Sequence, residues 1–156
     1  MDTPSPEEVR TVGMSTVAAA HAVYVETVRE KYGQAGLKAL AEANRLHGLE
    51  LGKQGVKDGG LKKGDLKSIH EFFEAAYPFF GFELELVDIS DKHIEVKVTA
   101  CPWIETFRAK GANEDICLWV TKIDEGIAQA VDPELSMTVP KCMMRGDDHC
   151  IYHWSK

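Results

Sequence analysis

The chain has 156 residues, 44% hydrophobic and 28% charged, with a formal net charge of -7. That length supports one domain, residues 1–156, with a real core, and is short for two. The acidic balance argues against a nucleic-acid backbone as partner, no run nears the roughly 18 apolar residues of a membrane span, and the opening Met1-Asp2-Thr3-Pro4 carries no basic-then-apolar signal. The expected setting is the cytoplasm, where thiols stay reduced and a static disulfide is the least expected use of four cysteines.

In chain order, Ser5-Pro6-Glu7-Glu8 reads as a capping box with proline at the first helical position. Val9, Val12, Val17, Ala20, Tyr24 and Val28 follow at helix spacing until Gly33. A second helix spans about 35–56, with Leu37, Leu40, Asn44, His47 and Leu51 near one face. Gly48, Gly52 and Gly55 cost helix stability, which points to close approach of another helix or a ligand. After the Gly- and Lys-rich connection 57–64, a third helix over about 65–80 stacks Leu66, Ile69, Phe73 and Tyr77 on one side.

The period changes at Gly81. Phe82, Leu84 and Leu86, then Ile94, Val96 and Val98, alternate with polar residues across a Ser90-Asp91-Lys92 turn, which predicts an antiparallel hairpin with one buried face. Pro102 ends its second strand and starts a short helical piece over 103–110. Asn113 then caps a helix predicted to run to about Val131, and strands near 136–144 and 149–154 follow. The order predicts an α+β fold, with a helical part over about 5–80 packed on an antiparallel sheet within about 81–156.

Chemistry concentrates near the last hairpin. With Gly146 at its tip, counting outward sets Cys142 opposite Cys150 on one face, a pair that can form a disulfide, hold a metal or simply pack. If Cys117 and Asp124 share one helix, seven residues apart, they project from nearly the same face. Phe72, Phe73, Tyr77, Phe79, Phe80 and Phe82 form an aromatic cluster that can be core or ligand wall, and Trp103 and Trp119 are further candidates for that wall. His21 and His47 fall beside the inward faces of the first two helices, as core or pocket histidines. A carboxylated ligand would want a cation, for which Arg45 and Arg108 are available.

The segments Ala100-Cys101-Pro102-Trp103, Ile116-Cys117-Leu118-Trp119 and 141–150 (KCMMRGDDHC) together resemble the C-terminal pattern of the L-2-amino-thiazoline-4-carboxylic acid hydrolase family. They are similar, more distantly, to the 4-vinyl reductase small-molecule-binding domain, over about residues 82–154. The resemblance implies the α+β ligand-binding fold of nitric-oxide signalling and Golgi transport proteins, often dimeric, so that a homodimer is expected here. In the aromatic-sensing relatives, two hairpin cysteines, an upstream cysteine and a glutamate surround zinc. Cys142, Cys150 and Cys117 match the three thiols, whereas Val139 stands where the glutamate would be, so a fourth ligand would have to come from Cys101, Asp124 or another donor.

The hydrolase resemblance implies opening of a cyclic amidine by water attack at C=N, which requires a base. Asp124 is the first candidate for base or metal ligand. Cys101 is a candidate nucleophile, if the helix start after Pro102 lowers its thiol. Phe73, Tyr77, Trp103, Trp119 and His47 are the expected ligand contacts. A non-catalytic sensor or carrier of aromatic or apolar ligands is the competing reading, and a scaffold that recruits a partner on an exposed helix face is a third.

Overall fold

The structure is a computed structural model that describes residues 3–156. Its first helix, α1 (Pro6–Lys57), opens with the predicted capping box: the Glu8 amide donates to Ser5 Oγ (3.2 Å) and the Ser5 amide to the Glu8 carboxylate (2.7 Å). Gly33 turns to φ 58°, ψ -148°, a left-handed φ suited to glycine, and splits α1 into the two expected helices. Its buried stripe is Ala18, Ala22, Val25, Leu37, Ala41, Gly48, Gly52 and Gly55. Val9, Val12, Val17, Tyr24, His47 and Leu51, all expected on or near inward faces, are exposed. Close packing of α1 on other helices selects small side chains, and the valines are left on the far side.

Helix α2 (Lys67–Ala76) buries Ile69 and Phe73 and tightens into a 3-10 helix, Tyr77–Phe80, ended by Gly81 at φ 87°. The tighter winding carries Phe79 and Phe80 out of the expected aromatic cluster and onto the surface.

Strands β1 (Glu83–Ile89) and β2 (His93–Ala100) form the predicted hairpin, with a register shift between Leu86 and Asp88 that leaves Leu86 exposed. Ile94, Val96 and Val98 are fully buried. Beyond α3 (Ile104–Ala109), the long helix expected over 113–131 is instead two: α4 (Ile116–Val120) and α5 (Lys122–Gln129). Between them Thr121, at φ -73° and ψ -2°, bonds its hydroxyl back to the Cys117 carbonyl (2.6 Å). Cys117 and Asp124 therefore lie on different helices rather than one face of a single one.

Strands β3 (Ser136–Lys141) and β4 (Cys150–Ser155) complete an antiparallel sheet of order β1-β2-β4-β3. Its inner face, carrying Val96, Val98, Met137, Val139, Tyr152 and Trp154, joins the inward residues of all five helices in one core. The fold is α+β, helices on an antiparallel sheet, as the sequence predicts.

Candidate functional site

Backbone contact seats the helix that carries Asp124. A Cβ on Gly48 would fall on the Ile123 carbonyl oxygen, one on Gly126 on the Arg45 carbonyl, and one on Gly52 would lie 2.6 Å from the Ile127 oxygen. Helices α1 and α5 thus touch main chain to main chain: Gly48 and Gly52 admit a helix, whereas Gly55 makes room for the side chains of Leu61 and Phe72. On the other side, the buried Glu125 carboxylate accepts from Lys122 Nζ (2.6 Å) and the Met137 amide (2.8 Å), fixing α5 to β3.

So held, Asp124 points into the core, where the Tyr77 hydroxyl donates to its Oδ1. Burial pushes the Asp124 carboxyl up to about 7 against the effect of that bond. The Tyr77 phenol is raised well above its usual range, by burial first and then by the neighbouring carboxylate. Tyr152, inward on β4, is raised by burial and by the nearby Asp124, Cys101, Tyr77 and Cys117. Burial likewise pushes Cys101 up to about 11, although the Trp103 and Ile104 amides at the start of α3 pull the other way. The helix-start effect expected for Cys101 is present, but desolvation outweighs it and the group is a thiol at neutral pH. Tyr152 was not picked out from the sequence, yet the alternation Cys150, Tyr152, Trp154 carries the signal.

An aromatic belt runs beside this pair. Phe73 lies 4.8 Å from Tyr77 and 5.6 Å from Trp154 between ring centres; Tyr77 lies 5.1 Å from Phe82, which meets Trp103 at 6.1 Å. The indole nitrogens of Trp103 and Trp154 are buried without a hydrogen-bond partner. Phe73, Tyr77 and Trp103 are thus brought together, but packed on one another rather than around an open cavity. The two cavities described lie elsewhere: about 320 Å³ beside Leu118, Met137 and Pro140, and about 250 Å³ beside Lys38, Arg45 and Trp119. Trp119 belongs to that second, outer groove, where its carbonyl accepts from Asn44 (3.0 Å), and the exposed His47 joins neither the belt nor Asp124. His21 is half-buried and lies tilted against Trp103, with ring centres 5.0 Å apart. Arg45 is engaged by Glu42 and Gln129, and Arg108 by the Met143 carbonyl.

Next to Cys101 are the other three cysteines, and all four are free thiols. The last ladder pair is Lys141 with Ile151, so Cys142 and Cys150 follow it at the mouth of the hairpin. The connection is a 3-10 helix, Met143–Arg145, with Gly146 at φ 94° after it. The Cys142 amide donates to Asp147 (2.8 Å), the Met143 amide to Cys150 Sγ (3.3 Å), and Arg145 to the Val139 carbonyl (2.6 Å). Hydrogen bonds from the Cys117 and Cys150 thiols hold Cys142 well below the ordinary thiol range. The same bonds, with burial, push Cys117 and Cys150 far up, so the three titrate as one unit. Among the described residues no three His, Cys, Asp or Glu side chains are placed so that they could hold a metal ion. Val139, where the relatives' glutamate would stand, is a buried core residue.

Comparison with known proteins agrees with this architecture. A trafficking protein particle complex subunit 3 from Naegleria fowleri, solved covalently bound to palmitic acid, superimposes with a TM-score of 0.62 at 15% identity, over 92% of this chain and 95% of that one. The phenol-responsive sensory domain of the transcription activator PoxR, solved with phenol, gives a TM-score of 0.69 at 13% identity, over 88% of this chain and 73% of that one. At these identities the likeness is one of fold. No curated protein matches the chain significantly. The family model of L-2-amino-thiazoline-4-carboxylic acid hydrolase, however, matches residues 14–154, from within α1 through β4, and the chain belongs to that family.

Proposed function

We propose that this protein is a hydrolase that opens a small cyclic amidine, such as L-2-amino-thiazoline-4-carboxylate, by water attack at C=N, with Asp124 as the proton acceptor. The observation that carries the reading is the buried Asp124 carboxyl, bonded to Tyr77 and pushed up to about 7, the range in which one group both takes and returns a proton at neutral pH. Asp124 accepts a proton as the water oxygen bonds to carbon and passes it to the C=N nitrogen; it then takes the second from the added hydroxyl as the C=O forms and the ring bond breaks, and passes that one to the ring heteroatom that leaves. The sum is addition of one water. Cys101, held as a thiol by its burial, has no nucleophilic part in this scheme.

Product formation from the aminothiazoline, followed by chromatography and mass, is the test. Asp124→Asn should lower kcat by roughly 100-fold or more, the usual contribution of a general base. If the wild-type protein turns nothing over yet binds phenol or other apolar ligands, the sensor or carrier reading replaces this one, a reading supported by the likeness to the phenol-responsive domain.

Cys117, Cys142 and Cys150 are assigned to zinc. Cys117 and Cys150 each bond to Cys142, and three sulfur donors drawn together from there would suit that metal, tying α4 to the β3–β4 hairpin as a structural cross-link, while the fourth donor would come from outside the trio because Val139 offers none. Elemental analysis of untagged protein should find about one zinc per chain, lost in both Cys142→Ser and Cys150→Ser, four donors being the usual zinc complement. Zinc-free protein after growth with zinc available would overturn the assignment. The same reading includes a homodimer formed through the outer face of α1, where Val9, Val12, Val23 and Tyr24 are exposed and no Asp, Glu, Lys or Arg occurs from Thr11 to Val25.

A further inference from the structure

The two outer cavities share a wall. Lys38, Ala41, Glu42 and Arg45, spaced i, i+3, i+4 and i+7 along one face of α1, line the groove of about 250 Å³ together with Trp119, Lys122 and Glu125. Lys122 also lines the cavity of about 320 Å³, where it stands with Leu118, Met137, Val139 and Pro140 and is the one charged residue. The two compartments differ in kind. The first holds three cations, Lys38, Arg45 and Lys122, against two carboxylates, Glu42 and Glu125. Arg45 is paired with Glu42 and Lys122 with Glu125, whose carboxylate is held further by the Met137 amide. Lys38 has no ion pair among the described residues, so the groove keeps one positive charge in a chain whose net charge is -7. The second compartment is apolar and reaches the surface at Leu118, which is 37% exposed. An extended peptide is a poor fit to this edge of the sheet, since the Met137 amide is spent on Glu125 and Pro140 has none to give.

We propose that the paired cavities form a binding site for small amphipathic monoanions, with an apolar body of about six to eight carbons along Leu118, Met137 and Pro140 and a carboxylate or similar head turned past Lys122 toward Lys38. A single negative charge balances the excess cation and leaves the Glu42 and Glu125 pairs intact, whereas a cationic head would add to the excess. Trp119, half-buried in the same groove, reports occupancy through its fluorescence. Neither Asp124 nor the packed interior takes part, so this ligand is distinct from the substrate of the hydrolytic reading, and either can fail alone.

The experiment is calorimetric titration with octanoate, 1-octanol and octylammonium, one chain length with charges of minus one, zero and plus one, in low salt at about pH 7.5. Octanoate should bind about tenfold more tightly than octanol, as expected of a charge-assisted contact, and octylammonium should bind most weakly. Shortening the acid to hexanoate should weaken binding about tenfold, through the loss of two buried methylenes. Lys38 and Leu118 are both exposed, so Lys38→Met and Leu118→Glu should keep the wild-type circular dichroism. The first should bring octanoate and octanol within about twofold, and the second should abolish octanoate binding. The fluorescence change on adding octanoate should be absent from Trp119→Phe. No binding of octanoate to wild-type protein, equal binding of the acid and the alcohol, a charge preference that survives Lys38→Met, or octanoate binding that survives Leu118→Glu overturns the proposal.

Discussion

Asp124 couples the site to the stability of the fold. Its folded carboxyl is raised to about 7 by burial, above an unfolded value near 4, so its favourable contribution is complete below that unfolded value and is lost as pH rises through about 7. A shift of that size corresponds to at most roughly 4 kcal/mol. Chemical denaturation of wild-type protein between about pH 5 and pH 8 should show stability falling with pH, and Asp124→Asn should flatten the fall and be the more stable protein at the upper end. An unchanged slope in the variant would mean that the carboxyl titrates elsewhere. Asp124 and the four cysteines could be picked out from the sequence because carboxylates and thiols are the groups that carry such chemistry. Their surroundings could not: whether Cys101 is activated or suppressed depends on the balance of two main-chain amides against desolvation, and no spacing encodes that balance. His47 shows the same limit, because its side of the helix is set by which neighbour packs there.

At the scale of elements, the glycine contact between α1 and α5 positions everything else. In an open helix Gly→Ala stabilises by about 1 kcal/mol. Here Gly48→Ala or Gly126→Ala drives a methyl into facing backbone and should cost about 1–3 kcal/mol instead. For a domain of this size each kcal/mol lowers Tm by roughly 2–4 °C, so scanning calorimetry reads the sign directly. Element order, the break at Gly33 and the β1–β2 hairpin were legible because caps, glycines and period-two alternation are local signals. The buried face of α1 was not. The valines mark a stripe by hydropathy, but helix against helix at backbone contact favours Ala18, Ala22, Gly48 and Gly52, which hydropathy ranks low. The interruption at Thr121 also escaped notice, since a threonine hydroxyl bonding its own helix is common and only its context makes a break of it.

For the whole molecule, the proposed dimer runs through the uncharged outer face of α1. Light scattering should report a dimer, and Val12→Glu together with Val23→Glu should yield monomers with unchanged circular dichroism; a wild-type monomer at high concentration removes the second copy from this face. With a net charge of -7 on each chain, added salt should strengthen the dimer rather than weaken it. The strand order has a further bearing, on synthesis. β4 is the last strand made, yet it lies between β2 and β3, so the sheet stays in two pieces on the ribosome until residues 150–155 emerge. Those same residues bring Cys150 to the thiols and Tyr152 to Asp124. A nascent chain therefore brings the Cys150 thiol and the Tyr152 phenol to their neighbours only as its sheet closes.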